Sequence, residues 1–177
     1  MIFAETWIPE SLKNSIDFVL EDYSLHLNSH GRGKGLAVFF KQEFGCVFDM
    51  NQEKLNLTKI SSKEIDIIGI YQSRDCNIDS TIENFEKLID FEKTTLVVGD
   101  FNICNQKNPE NKVKTYLTDR KFKLLVSTAT HIEGGHIDQA YAFNVGNYVE
   151  NPIVEIIPKY YSDHEAICIS WSKRSKE

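Results

Sequence analysis

Leu96-Val97-Val98-Gly99-Asp100-Phe101-Asn102 is an apolar run that stops at a glycine and then carries a carboxylate and a carboxamide two positions apart. The β-branched run has the length and composition of a strand buried in a sheet, read here as Thr95–Gly99. Period-two geometry aims the side chains of Asp100 and Asn102 toward one side of the sheet's end. A carboxylate and an amide held together there orient a water nucleophile, the carboxylate accepting its proton and the amide fixing its direction. Glycine, aspartate and asparagine are also common turn formers, so a plain turn is the competing reading of the same residues.

Working outward from this run, strand-like stretches recur at Gly35–Phe40, Leu55–Ile60, Ile65–Tyr71, His136–Phe143, Ile153–Ile157 and Ala166–Trp171. Few helices separate them. Ser80-Thr-Ile-Glu has capping-box spacing, and Ile82, Phe85, Leu88 and Ile89 then make one apolar face. A second helix fits Pro109 to about Arg120, and a third fits Pro9 to Leu20. At 177 residues the chain has the length of one domain, and 41% hydrophobic against 26% charged residues is enough to bury a core. The pattern predicts an α/β domain spanning residues 1–177, with sheets covered by a few helices and no repeat or linker.

Several function classes are excluded or narrowed by composition. The net charge of −6 gives no global basic field for holding nucleic acid, so any such affinity is local. No apolar run approaches the roughly 20 residues of a membrane helix, and no signal peptide is visible, which predicts neither a membrane nor a secretory destination. The cysteines at 46, 76, 104 and 168 form no paired motif and read as reduced, intracellular thiols. Lys107–Lys123 holds six basic against two acidic residues, which is either a local surface for a nucleic-acid backbone or an ordinary solvated helix face. Gly31-Arg32-Gly33-Lys34-Gly35 lacks the Walker ending and reads as a turn. His26, His30, His131 and His136 show no metal-ligand spacing and are left as solvated or loop residues, with His131 part of a Thr-His wall.

Near the carboxyl terminus, Ser162-Asp163-His164 directly precedes the strand Ala166–Trp171. A histidine there works as base, acid or phosphate donor if a carboxylate fixes its tautomer, and Asp138 at a strand start is a candidate for that carboxylate. Taken singly, a polar loop and a strand-edge acid are the competing readings.

Taken in order, Ala4-Glu5-Thr6-Trp7, Gly69-Ile70-Tyr71, Val98-Gly99-Asp100-Phe101-Asn102, Thr130-His131-Ile132-Glu133-Gly134-Gly135 and Ser162-Asp163-His164 resemble the motif set of the endonuclease/exonuclease/phosphatase superfamily. The likeness runs from Phe3 to Trp171 and is closest in style to the endonuclease domains of retrotransposons and other mobile elements. It implies a four-layer α/β/β/α sandwich and a Mg²⁺-dependent enzyme, with Mn²⁺ as an alternative ion, that nicks DNA and leaves a 3′ hydroxyl. By the same resemblance Glu5 and Asp163 belong with the metal, Asp100 and Asn102 with the water, and Tyr71 with the phosphate or leaving group. His164 contacts the scissile phosphate and Asp138 orients it; which of Asp100 and His164 takes the water's proton stays open. For Tyr71, a core aromatic with a buried hydroxyl is the competing reading. The implied partner is DNA, with no protein partner specified, and the implied location is intracellular, nuclear for a eukaryotic mobile element. Phosphatases and phosphodiesterases acting on inositol phosphates, lipids or RNA share the pattern, and an inactive relic would retain it too. Two departures stand out. Gln72-Ser73-Arg74 occupies a loop where the family commonly has prolines, and the asparagine-bearing strand and helix that open family members do not precede Glu5 in this sequence. The expected domain therefore lacks that first strand and helix, leaving unpaired backbone and apolar surface beside Glu5.

Overall fold

A computed structural model describes residues 1–6, 8, 11–12, 19–28, 34–41, 43–160 and 162–173, without the side chains of Cys46 and Lys173. Most of the helix expected from Pro9 to Leu20 lies outside these residues, as do His30 and positions 31–33 of the glycine-rich stretch. In chain order the elements are β1 (Ile2–Ala4), β2 (Tyr23–Asn28), β3 (Leu36–Lys41), β4 (Cys46–Gln52), β5 (Leu55–Ser61), β6 (Ile65–Gln72) and α1 (Ile78–Leu88). There follow β7 (Thr94–Asp100), α2 (Lys112–Asp119), β8 (Lys123–Leu124), β9 (Asp138–Phe143), β10 (Val149–Ile157) and β11 (Ala166–Lys173).

Six strands form one sheet in the order β4-β5-β6-β7-β9-β8. Only β6 and β7 run parallel, because α1 carries the chain back between them; the other neighbours are antiparallel. One face of this sheet packs on both helices, where Leu57, Ile68, Ile70, Val97 and Tyr141 meet Phe85 of α1 and Val113 and Leu117 of α2. On the other face lies a three-stranded sheet in the order β1-β3-β2. Buried polar bonds join the two sheets, for Asn28 of β2 donates to Leu57 O at 3.1 Å and to Thr58 Oγ1 at 3.0 Å. The Ile2 side chain reaches Gly69, where a Cβ would stand 3.2 Å from two of its carbons.

The mixed α/β sandwich is present, and helix, six-stranded sheet and three-stranded sheet are three of its layers. Among the described residues β1 pairs only with β3, and β10 and β11 pair only with each other as a separate ribbon. Met1 and Phe3 beside the outer edge of β1 are more than half and half exposed.

Several boundaries differ from the sequence reading. α1 starts before Ser80 because Asn77 is the cap, its Oδ1 accepting from Asp79 N at 3.1 Å, while the Ser80 hydroxyl donates to Gln52. α2 starts at Lys112 rather than Pro109, capped by Asn111, whose Oδ1 accepts from Lys114 N at 2.8 Å. The strand expected from His136 begins at Asp138, and His136 is buried rather than solvated, with burial lowering its proton affinity. Lys112 and Arg120 of the basic stretch pair with Asp79 and Glu86 of α1, so part of that charge fastens the helices together.

At Gly99 the backbone has φ +146°, and a Cβ would meet the Ile70 carbonyl oxygen at 2.0 Å. Gly99→Ala is therefore expected to cost roughly 3 kcal/mol, from an unfavourable backbone conformation and a clash with immovable backbone. Gly134 also has positive φ, +78°, but open space around it. Gly134→Ala should cost only about 1–2 kcal/mol. Urea denaturation of both variants checks this, and equal losses would contradict the close approach.

Candidate active site

Tyr71 is the last residue but one of β6, Asp100 ends β7 and Asp138 begins β9, and the strand register sets the three side by side across the sheet. The parallel β6–β7 pairing and the antiparallel β7–β9 pairing thus collect one phenol and two carboxylates from distant parts of the sequence.

Asp100 is 3% exposed. Its Oδ1 accepts from the backbone N of Asn102 at 2.7 Å, and its Oδ2 accepts from Asn102 Nδ2 at 2.9 Å. Asn102 sits at φ +50°, a left-handed conformation that asparagine tolerates better than most residues. The turn-forming and water-orienting readings of this segment are therefore compatible: the turn places the amide. Asn102 Nδ2 also donates to the Gln72 carbonyl at 2.8 Å, and Gln72 is tied to α1 by the Thr81 hydroxyl. Both Nδ2 protons are committed, which leaves Oδ1 facing outward, where Arg74 Nε donates to it at 3.4 Å.

Glu5, just past β1, has φ +51° and accepts from the Tyr71 hydroxyl at 3.0 Å. Burial and the Glu5 charge push the Tyr71 phenol up, so it stays protonated.

His164 Nδ1 donates to both oxygens of Asp138, at 2.8 and 3.0 Å. The backbone behind this pair is clamped: Glu165 N donates to Thr130 O at 2.7 Å, Ile132 N donates to Asp163 O at 2.8 Å, and Asp138 N donates to the Thr130 hydroxyl at 3.2 Å. Asp163 Oδ2 lies 3.5 Å from His131 Nε2, and its Oδ1 lies 4.0 Å from His164 Nε2.

Charge is concentrated here. Burial raises the Asp100 carboxyl to about 7, with Asp138 adding to the shift and the Asn102 N–H and His164 opposing it. The hydrogen bond to Asp138 raises His164 to about 9 against its own desolvation. The carboxylates of Asp100 and Asp138 lie together beside His164, and that of Asp163 lies beside His131 and His164. Glu5 belongs to neither group, although its charge is felt at Asp100. Carboxylates that repel one another in a partly buried space suit a hard divalent cation, so the residues present fit such an ion.

Sequence reasoning passed over two residues here. Arg74 was visible only as a departure from proline in its loop, and Thr130 only as part of a short motif. His26 is paired with Asp49 at 2.7 Å, outside this cluster.

No protein-family profile matches the chain, and no curated protein matches it in sequence. Its fold does match solved structures. The endonuclease domain of TRAS1, a telomere-specific non-LTR retrotransposon, aligns over 85% of this chain and 78% of that one with TM-score 0.58 and 12% identity. An endonuclease/exonuclease/phosphatase family protein from Leptotrichia buccalis aligns over 92% and 75%, with TM-score 0.61 and 15% identity. The Haemophilus ducreyi cytolethal distending toxin aligns over 96% and 84%, with TM-score 0.64 and 12% identity. No helix among the described residues is long and apolar enough to cross a membrane.

Because folding raises the proton affinity of His164, its stabilising contribution is complete below about 6.5 and is lost as pH rises through about 9. Asp100 is raised as well, so its contribution declines from about 3.8 to about 7, also with rising pH. An imidazole NMR titration should find His164 protonated through neutral pH, with its midpoint moving down toward the ordinary histidine range in Asp138→Asn. An unchanged midpoint in that variant would show that Asp138 does not hold the proton.

Proposed function

We infer that this chain, which has the fold of the endonuclease/exonuclease/phosphatase family, is a metal-dependent phosphodiester hydrolase, and that its substrate is DNA, nicked in the manner of a mobile-element endonuclease. The observation that supports it most is one cluster holding two differently tuned parts: the Asp138–His164 pair and the Asp100–Asn102 pair.

Glu5 and Asp163 are the residues assigned to the metal, with Asp100 and Asp138 close enough to share its field. Bound Mg²⁺ would neutralise charge on the phosphate and on the leaving oxygen. Asn102 presents Oδ1 to a proton of the attacking water, since its Nδ2 is committed to Asp100 and Gln72. Proton affinities support a division of labour. Asp100, at about 7, is part-ionised near neutrality and able to take a proton from that water. His164, at about 9, is mostly imidazolium and able to donate to a phosphate oxygen through Nε2. The protonated Tyr71 phenol donates to Glu5 here, and would be able to donate toward the leaving group if Glu5 were engaged by a cation instead. Arg74, reaching Asn102 from the exposed loop, offers its remaining guanidinium N–H groups to the same anion.

Supercoiled plasmid should be nicked with Mg²⁺ or Mn²⁺ and protected by EDTA. Asp100→Ala and His164→Ala should each lower the rate by about 100-fold or more. Plasmid left intact while inositol phosphates or poly(A) are hydrolysed would replace DNA as the substrate. Undiminished activity in both variants would remove the assigned roles.

A further inference from the structure

We propose that His131 is a further catalytic residue, supplying a neutral imidazole Nε2–H to the phosphate oxygens of the substrate, next to the Nε2 of His164. The proposal rests on the phosphodiester-hydrolase reading above.

The tautomer follows from one bond. The backbone N–H of Glu133 donates to His131 Nδ1 at 3.1 Å. A backbone amide has only a proton to give, so Nδ1 must hold a lone pair and the ring proton must sit on Nε2. This makes His131 a poor metal ligand through Nε2 but a well-defined hydrogen-bond donor there.

The direction of that donor follows from the backbone. Residues 131 and 164 form an antiparallel bridge, and Gly134 N and the Gly135 carbonyl close the turn on His131. The two imidazoles meet edge to face, with centroids 4.9 Å apart and planes at 89°. The Nδ1 of His164 is spent on Asp138 and that of His131 on Glu133 N, so each ring has its Nε2 left for another partner. Both Nε2 atoms flank the Asp163 carboxylate, one near each oxygen, at 3.5 and 4.0 Å.

That carboxylate is the exposed member of the set. Its side chain is 66% exposed, whereas the His131 side chain is 10% exposed and held by its turn. Two Nε2 atoms, one near each oxygen of an exposed carboxylate, form a cradle of a size that would take two non-bridging phosphate oxygens. With Asp163 holding a cation, the cradle would be left to the substrate.

Two substitutions separate this role from a structural one. His131→Asn keeps an oxygen where Nδ1 stood, so the Glu133 N–H and the turn are retained while the distal donor is lost. His131→Gln keeps a distal N–H and gives up the turn's acceptor. With wild-type thermal stability as the control, His131→Asn should lower kcat by about 100-fold with a smaller change in KM, and His131→Gln should recover most of that loss. Independently, long-range imidazole NMR should find His131 as the Nε2–H tautomer, and added inorganic phosphate should shift the Nε2 signals of both histidines. A kcat in His131→Asn within twofold of wild type, an Nδ1–H tautomer, or phosphate shifts confined to His164 would overturn the proposal. A wild-type chain that hydrolyses no phosphodiester while phosphate still moves both signals would remove the functional reading and leave the anion cradle standing.

Discussion

The Ile70 carbonyl oxygen occupies the space where any side chain at position 99 would begin. Glycine there lets β7 close onto β6 along the parallel pairing, and that closure sets Asp100 beside Tyr71 at the strand ends. β9 completes the row by pairing Asp138 with Asp100. The helices and the three-stranded sheet cover the two faces of this arrangement, while the row itself stays at the rim, where loops can reach it. A change in the β6–β7 register would displace the phenol, both carboxylates and everything hydrogen-bonded to them.

Setting Asp100 next to Asp138 in a buried row carries an electrostatic cost, seen in the raised proton affinity of Asp100. The chain answers it locally by lending Asp138 the imidazole of His164 and Asp100 the N–H groups of Asn102. Each answer is also a chemical asset. The imidazole gains a fixed tautomer and a retained proton, and the amide is pinned with its oxygen outward. The remaining negative charge favours a divalent cation.

Much of this was legible in the sequence because local rules and chemistry coincided. The run Leu96–Asn102 had to be a strand ending in a glycine and a turn, and Ser162-Asp163-His164 had to lie at the entry of the next strand. Helix starts were less legible. Ser80 and Pro109 satisfy general capping rules, but Asn77 and Asn111 lie earlier or nearer and accept the orphan N–H groups first. The strands β2 and β4 were missed because residues such as Asn28, Asp49 and Asn51 break the apolar alternation; Asn28 serves the joint between sheets, a tertiary partner no local pattern displays. His136 reads as a loop histidine and is buried, since the loop before β9 folds inward onto Cys104. Arg74 and the aim of His131 depend on chain segments distant in sequence, and only the folded arrangement shows them.

The central claim is that water, held at Asp100 and Asn102, attacks phosphorus in a nucleic-acid backbone. Cleavage of a short DNA duplex in ¹⁸O-labelled water, with both product ends resolved by mass spectrometry, tests it most directly. The account expects one ¹⁸O per turnover in a 5′-phosphate, an unlabelled 3′-hydroxyl, and loss of both products in Asp100→Asn. A 3′-phosphate product, or label incorporation that persists in Asp100→Asn, would contradict it.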